Sequence, residues 1–236
     1  RDKRGGVRKE RAGAKKTRVI QDLRRNGVNG LSSFAERVVL PRGIDHAVDM
    51  ALLHDCYPLM AVHTLVLDFV DAFMSMALHP DEMRCTAAEV PETSGLGPIL
   101  VWRVVGFGGR VFPLVYSRAA SFAARTAQAA VDANIARLQL YVDDPVLAVA
   151  GSRSQAALEC DVVVAWWLAL GLELAWHKGA YATGCHDWIG IGFSRDESSV
   201  VMRLLHAYLS DTRVALLPLS ASSGSLPLQL APSPSG

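Results

Sequence analysis

The 236-residue sequence is poor in cysteine, in aromatic residues and in net charge. It contains four cysteines, 7% aromatic residues and a formal net charge of +1. The cysteines are scattered and none belongs to a CxxC pair, which excludes the disulfide framework of a small secreted domain. We therefore expect reduced thiols and an intracellular protein, and the lack of a recognisable signal peptide agrees with this expectation.

Long hydrophobic runs are also lacking. The longest apolar stretch, residues 162–172, is shorter than the roughly 20 residues that cross a bilayer, so we predict a buried helix there and no membrane partner. The 19 Gly and 11 Pro residues are too few for a collagen-like or low-complexity chain. The 50% of hydrophobic residues is enough for a folded core.

The near-neutral total hides an uneven distribution of charge. Residues 1–30 contain eleven Lys or Arg and three Asp or Glu, a net charge of +8, so the remainder carries −7. A basic arm on an acidic body predicts that one part of the chain binds a polyanion and another part binds cations. The alternative is a basic arm that is only solvated.

Hydrophobic periodicity predicts a mixture of helices and strands. We expect strands at 17–23, 64–69, 99–105 and 188–193, a strand–turn–strand at 138–150, and helices at 44–56, 114–136 and 154–170, the last capped by Ser154. Helices and strands do not alternate strictly, which favours the α+β class. Residues 218–236 are uncharged and rich in Pro and Ser, so we predict a disordered tail.

Acidic residues follow two of the predicted strands. Asp68 comes after Leu65, Val66 and Leu67, and Asp143 and Asp144 interrupt the apolar stretch 138–150. If these strands are neighbours, Asp68 and Asp143 lie a few ångströms apart and their repulsion favours divalent cations. Two Mg²⁺ ions about 4 Å apart catalyse phosphoryl transfer. An Asp pair alone is more often an ordinary turn, so it does not decide the function.

A series of short motifs surrounds these carboxylates. In chain order they are KTRVIQDLR at 16–24, LDFVDAF at 67–73 with LHPD at 78–81, GFGG at 106–109, YVDD at 141–144, LGL at 170–172 with Lys178, and WIG at 188–190. Together they resemble the fingers and palm motifs of reverse transcriptases over about three quarters of the chain. The GFGG loop is most similar to that of LTR and tyrosine-recombinase retrotransposons.

The resemblance implies a polymerase palm with part of the fingers and little of a thumb. It divides the chain into a basic arm with part of the fingers (1–43), palm (44–75), further fingers (76–113), palm with the YVDD hairpin (114–195), the start of a thumb or connection (196–217) and the tail (218–236). The activity implied is template-directed addition of deoxynucleotides to a primer 3′-hydroxyl. Its cofactors are two Mg²⁺ or Mn²⁺ ions, and its partners are an RNA or DNA template with primer and the deoxynucleoside triphosphates.

The resemblance also implies roles for individual residues. Asp68, Asp143 and Asp144 would hold the metals, and Lys178 would protonate the departing pyrophosphate. The nucleotide would be bound by Lys16, Arg18, Phe73, Phe107 and Gly108, with Phe73 excluding a 2′-hydroxyl. The primer grip would consist of Trp188, Ile189 and Gly190.

Pro145 departs from the family pattern, in which an apolar β-branched residue follows the YVDD box. Proline removes a strand N–H, so we expect a loosened hairpin at this point. Two alternatives stay open on the sequence. One is an inactive retroelement remnant that binds nucleic acid without catalysis, and the other is an RNA-dependent RNA polymerase, which Phe73 disfavours.

Overall fold

The computed structural model describes the backbone of residues 5–11, 14–20, 23–24, 27–33, 35–89, 97–196, 199–204, 213–216 and 228–230. Side chains are described for those that lie between 23 and 204, apart from residue 196. The mixture of helices and antiparallel strands in this part of the chain confirms the α+β class.

The elements have the following bounds. The strands are β1 (Gly5–Arg11), β2 (Ala14–Ile20), β3 (Ala61–Val66), β4 (Ala87–Glu89), β5 (Ile99–Val101), β6 (Ala136–Tyr141), β7 (Asp144–Gly151), β8 (Ala180–Thr183), β9 (Cys185–Trp188), β10 (Ile191–Asp196), β11 (Ser199–Leu204), β12 (Arg213–Leu216) and β13 (Leu228–Leu230). The α-helices are α1 (Val28–Leu31), α2 (Gly43–Cys56), α3 (Pro80–Met83), α4 (Phe112–Ala130) and α5 (Arg153–Ala169). Short 3-10 helices cover Ala72–Ser75, Arg84–Thr86 and Trp176–Lys178.

The chain forms two compact units. The first comprises Arg1–Val38 and Asp71–Ala119, and the second comprises Val39–Val70 and Ala120–Gly236. The naming of the parts as fingers, palm and thumb stays a prediction.

A four-stranded antiparallel sheet in the order β6–β7–β3–β8 is the centre of the second unit. Strand β7 is buried along Pro145 to Gly151 because both faces of the sheet are covered. Helix α2 packs on the face that carries Val146, Ala148 and Ala150. Helix α5 contacts β7 and β3 and buries Val163 and Trp167. Two apolar layers thus hold the strand that follows the YVDD turn.

A second antiparallel sheet has the order β13–β12–β11–β10–β9. Its Trp188, Phe193 and Val200 share one core with Met50 of α2 and Val146 of β7. Helix α2 therefore packs against both sheets. In the first unit, β1 pairs with β2 and β4 pairs with β5, and the buried side chains include Leu78, Ala88, Val105, Leu114 and Tyr116.

Several local predictions are corrected by the structure. The stretch 188–193 is not one strand but the end of β9, a turn at Ile189 and Gly190, and the start of β10. Helix α5 is capped by Ser152 instead of Ser154, because Ser152 and Gln155 form a reciprocal capping box. The helix predicted at 114–136 ends at Ala130, and β6 begins at Ala136.

The apolar stretch 162–172 is only partly a buried helix. It begins inside α5, which ends at Ala169, and Trp166 and Leu168 are 37% and 49% exposed. None of the described helices is long and apolar enough to cross a membrane. Most of the tail 218–236 lies outside the described residues, but Leu228–Leu230 form strand β13 instead of disordered chain.

Candidate active site

The YVDD sequence forms a tight turn between two strands of the central sheet. Tyr141 ends β6 and pairs with Asp144, which begins β7, so Val142 and Asp143 make the turn. Val142 has φ 57°, in the left-handed region that β-branched residues seldom adopt. This strained turn, called the YVDD turn below, places two carboxylates at the end of the sheet.

Three successive carbonyl groups of this turn and strand accept hydrogen bonds from outside the hairpin. Phe69 N–H donates to Asp143 C=O over 3.0 Å, and Leu67 N–H donates to Pro145 C=O over 3.1 Å. Between them, the indole N–H of Trp188 donates to Asp144 C=O over 2.9 Å. Since Asp68 lies between Leu67 and Phe69, these bonds place Asp68 opposite Asp144, the neighbour of Asp143 in the turn. The direct approach of Asp68 to Asp143 stays a prediction.

The carboxyl groups lie close enough to influence one another. Burial first, and then the charges of Asp143 and Asp68, raise the pKa of Asp144 to about 6, although the charge of Lys178 opposes the shift. Desolvation and like charge both disfavour the ionised form. The three carboxylates and Lys178 therefore share one electrostatic environment, within the second unit.

Lys178 pairs directly with Asp68. Its Nζ lies 2.5 Å from Asp68 Oδ2, and the two side chains are 43% and 18% exposed. Backbone bonds set this pairing, because Ala175 N–H donates to Asp68 C=O and Val70 N–H donates to Glu173 C=O. The segment before Lys178 is thus hydrogen-bonded to the backbone on both sides of Asp68, and this places the Lys178 ammonium at the Asp68 carboxylate.

The WIG sequence forms the turn between β9 and β10. Trp188 is only 2% exposed, with its ring in the core. Ile189 and Gly190 make the turn with φ 46° and 79°, and Gly190 is exposed. Glycine suits this φ because it has no Cβ. A contact between these residues and a primer stays a prediction.

The predicted nucleotide residues belong to the first unit. The ring of Phe73, in the 3-10 helix Ala72–Ser75, stacks on Tyr116 with centroids 4.9 Å apart, and Phe107 lies 5.7 Å away. Gly108 has φ 117°, which only glycine adopts without strain. Lys16 and Arg18 lie in β2, and their side chains fall outside the described residues.

Comparison with known protein families identifies the family of this chain. The family model described as reverse transcriptase (RNA-dependent DNA polymerase) matches residues 14–194. The chain belongs to the reverse transcriptase family. No curated protein sequence matches it.

A solved structure shows the same reverse transcriptase fold. The foamy viral protease-reverse transcriptase dRH in complex with ds DNA is similar with a TM-score of 0.58 and 16% sequence identity. The alignment covers 80% of this chain and 28% of the foamy viral chain, so the present chain spans less than a third of the viral protein. At this identity the likeness concerns the fold alone.

Pro145 removes one bond from this reverse transcriptase sheet without opening the YVDD hairpin. Its C=O accepts from Leu67 of the β3 side, and the N and C=O of one strand residue point to the same neighbour. The missing N–H therefore faces Leu67, where the ladder loses one bond, and not Leu140 of β6. The expected loosening is confined to the junction of Asp68 with the hairpin.

The carboxylates of Asp68, Asp143 and Asp144 are the type of ligand that divalent cations bind. Carboxylate oxygens are the donors that Mg²⁺ prefers, and the pKa of Asp144 is raised first by burial and then by the negative charges of Asp143 and Asp68. As they stand, no three His, Cys, Asp or Glu side chains in the described part of the chain are arranged to hold a metal ion. The Asp68 carboxylate is engaged by Lys178 instead, so a cation would have to displace that ammonium.

Two residues that contact the predicted nucleotide residues of the first unit carry no motif signal. Asn29 donates its side-chain N–H to Gly108 C=O over 2.9 Å and accepts from Arg110 N–H over 2.8 Å, so one amide group spans the GFGG loop. Tyr116 supports Phe73 from the first half of α4. Their partners are distant in sequence, and only the folded chain reveals them.

Proposed function

We propose that this chain is a reverse transcriptase of the retrotransposon type that adds deoxynucleotides to a primer 3′-hydroxyl by two-metal phosphoryl transfer. The observation that carries the proposal is the convergence of Asp68, Asp143, Asp144 and Lys178 at one end of the central sheet. Family membership supports the polymerase chemistry. The GFGG loop supports the element type.

Each residue of the cluster has a role in this reaction. Asp68, Asp143 and Asp144 would hold two divalent cations, which lower the pKa of the 3′-hydroxyl and offset charge on the phosphates. The 3′-hydroxyl gives up its proton to solvent, and its oxygen forms a bond to the α-phosphorus as the bond to the pyrophosphate oxygen breaks. Lys178, an ammonium that already lies at Asp68, would donate a proton to the departing pyrophosphate.

Selection of the sugar is assigned to Phe73. A ring held by stacking on Tyr116 is rigid, so a 2′-hydroxyl that meets it finds no room. An enzyme that uses ribonucleotides would need a polar group to accept that hydroxyl. Phe107 and Gly108 would contact the nucleotide, and Lys16 and Arg18 would bind its triphosphate.

A nucleic acid template with its primer is the expected partner. The net charge of +8 over residues 1–30 suits a phosphate backbone. The similar foamy viral protein was solved with double-stranded DNA, which supports the same class of partner here. Binding should weaken steeply as salt increases, because phosphate contacts release counterions.

Primer extension on an RNA template tests the proposal. With Mg²⁺ and deoxynucleotides, the wild-type chain should extend the primer, and Asp143→Asn should abolish extension. Asp161→Asn, which removes an exposed carboxylate on α5, is the matched control and should extend normally. Preference for ribonucleotides would instead identify an RNA polymerase.

A remnant that binds nucleic acid without catalysis is the second candidate. The observation that favours it is the bond lost at Pro145, beside Asp68. Fluorescence anisotropy with labelled primer–template separates the two candidates. Binding by a folded wild-type chain that shows no extension with Mg²⁺ or Mn²⁺ would establish the remnant and refute the enzyme.

A further inference from the structure

Trp188 makes a contact that neither its motif nor its family explains. The residue is only 2% exposed, and its indole N–H donates to the carbonyl oxygen of Asp144 over 2.9 Å. The donor and acceptor are 44 positions apart and belong to different sheets. A buried N–H bonded to a backbone carbonyl is strongly directional, so this bond fixes the backbone of Asp144 relative to β9.

The YVDD turn needs external support at this position. Val142 holds a strained φ, and Pro145 cannot return a bond to Leu67. Of the three donors that reach successive carbonyls of the turn, Leu67 and Phe69 use backbone N–H groups. Trp188 alone of the three uses a side chain, so it is the one that a substitution can remove.

The indole itself is held by aromatic rings. His46 of α2 meets it edge-on with ring centroids 5.4 Å apart, and Phe193 of β10 lies 6.4 Å away. All three side chains are buried in the core shared by α2 and the two sheets. The donor therefore has little freedom to follow a displaced acceptor.

We propose that Trp188 is a positioning residue that fixes the Asp144 carbonyl and so holds the YVDD turn at a set distance from the Ile189–Gly190 turn. Trp188 immediately precedes that turn, so one rigid side chain joins the two. The catalytic consequence rests on the proposed function, whereas the structural consequence does not.

Amide hydrogen exchange measures the structural consequence. Trp188→Phe keeps an aromatic ring and removes the N–H. Exchange of the Phe69 and Leu67 amides, which donate to Asp143 and Pro145, should become about 5-fold faster, the equivalent of one lost hydrogen bond. The Ala150 amide, which donates to Ile135 at the far end of β7, should not change.

Trp166→Phe is the matched control. Its indole N–H donates to Thr126 Oγ1 over 2.8 Å at an exposed position, so the same substitution removes an indole hydrogen bond in the same unit that does not involve the YVDD turn. This variant should leave the exchange of Leu67 and Phe69 unchanged. Equal acceleration in both variants, or acceleration of Ala150 together with Leu67 and Phe69, would overturn the positioning role.

Single-turnover nucleotide incorporation measures the catalytic consequence. Trp188→Phe should lower the maximal rate about 10-fold or more, with the KM for the nucleotide and the Kd for primer–template unchanged. A rise in Kd without a fall in rate would overturn the inference and make Trp188 a primer contact. An inactive wild-type chain would refute the proposed function alone, because hydrogen exchange still decides the structural role.

Discussion

The buried histidine pair of the second unit makes the stability of the protein depend on pH. His46 Nε2 lies 2.8 Å from His186 Nε2, and the two residues are 0% and 8% exposed. The short contact needs one ring to donate and the other to accept, so the accepting imidazole is neutral, and burial disfavours a charge on either ring. Neither Nδ1 has a hydrogen-bond partner among the described residues, so no nearby acceptor favours protonation.

The pKa values of both histidines are lowered in the folded chain. Burial and the neighbouring His186 lower the pKa of His46 to about 3, and burial lowers that of His186 to about 4, although the charge of Asp187 opposes the shift. The unfolded chain binds protons near pH 6.5, whereas the folded chain resists them. The stability is therefore complete above about pH 6.5 and is lost as the pH falls toward 4.

The size of the effect follows from proton linkage. Each histidine contributes a loss of about 1.4 kcal/mol per pH unit between its unfolded and folded pKa values. Lowering the pH from 6.5 to 5 should thus reduce the free energy of unfolding by about 2 kcal/mol for each histidine. Asp144 acts in the opposite direction in this window, because its raised pKa lets the folded state take up a proton.

Urea unfolding of Asp144→Asn at about pH 7 and pH 5 isolates the histidine effect. Adding His46→Leu and His186→Leu together removes both partners, which apolar surroundings tolerate, and should flatten the pH dependence. His79→Leu, at an exposed histidine, is the control and should leave it steep. An equally steep dependence without the pair would refute the reasoning.

Three further substitutions test individual contacts. Lys178→Met removes a half-exposed ion pair, so the free energy of unfolding should change by at most about 1 kcal/mol. The same substitution should lower the rate of single-turnover incorporation at least about 100-fold and raise the pKa of Asp144. A normal incorporation rate would contradict the role of Lys178. Phe73→Ala should increase ribonucleotide incorporation in a competition assay, and unchanged sugar selectivity would refute its role. Asn29→Ala should speed amide exchange at Arg110 about 5-fold, whereas an unchanged rate would show that the Asn29 contact does not order the loop.

Local pattern was sufficient to predict the elements that carry the carboxylates. The apolar stretch 138–150 is interrupted by the adjacent Asp143 and Asp144, and the structure has a hairpin there. Helix α2 was predicted from apolar residues at helical spacing, and its observed bounds, Gly43–Cys56, confirm it. Both predictions rest on the local spacing of apolar residues, and both segments contribute side chains to the buried core.

The remaining contacts had no local signal. The pair of His46 and His186 and the bond from Trp188 to Asp144 join residues far apart in sequence, and neither residue type determines its partner. The pattern of residues 188–193 predicts one strand, but Ile189 adopts φ 46° and Gly190 completes a turn there. Tertiary packing overrides residue propensity at these positions.

Counting bound Mn²⁺ by electron paramagnetic resonance tests the central claim most directly. With a chain-terminated primer on its template and the matching deoxynucleotide, the wild-type chain should hold about two more Mn²⁺ ions than the nucleic acid and nucleotide alone. Asp68→Asn and Asp143→Asn should each reduce that number, and Asp161→Asn should not. Equal Mn²⁺ binding by all four proteins would contradict the claim that these carboxylates hold the catalytic metals.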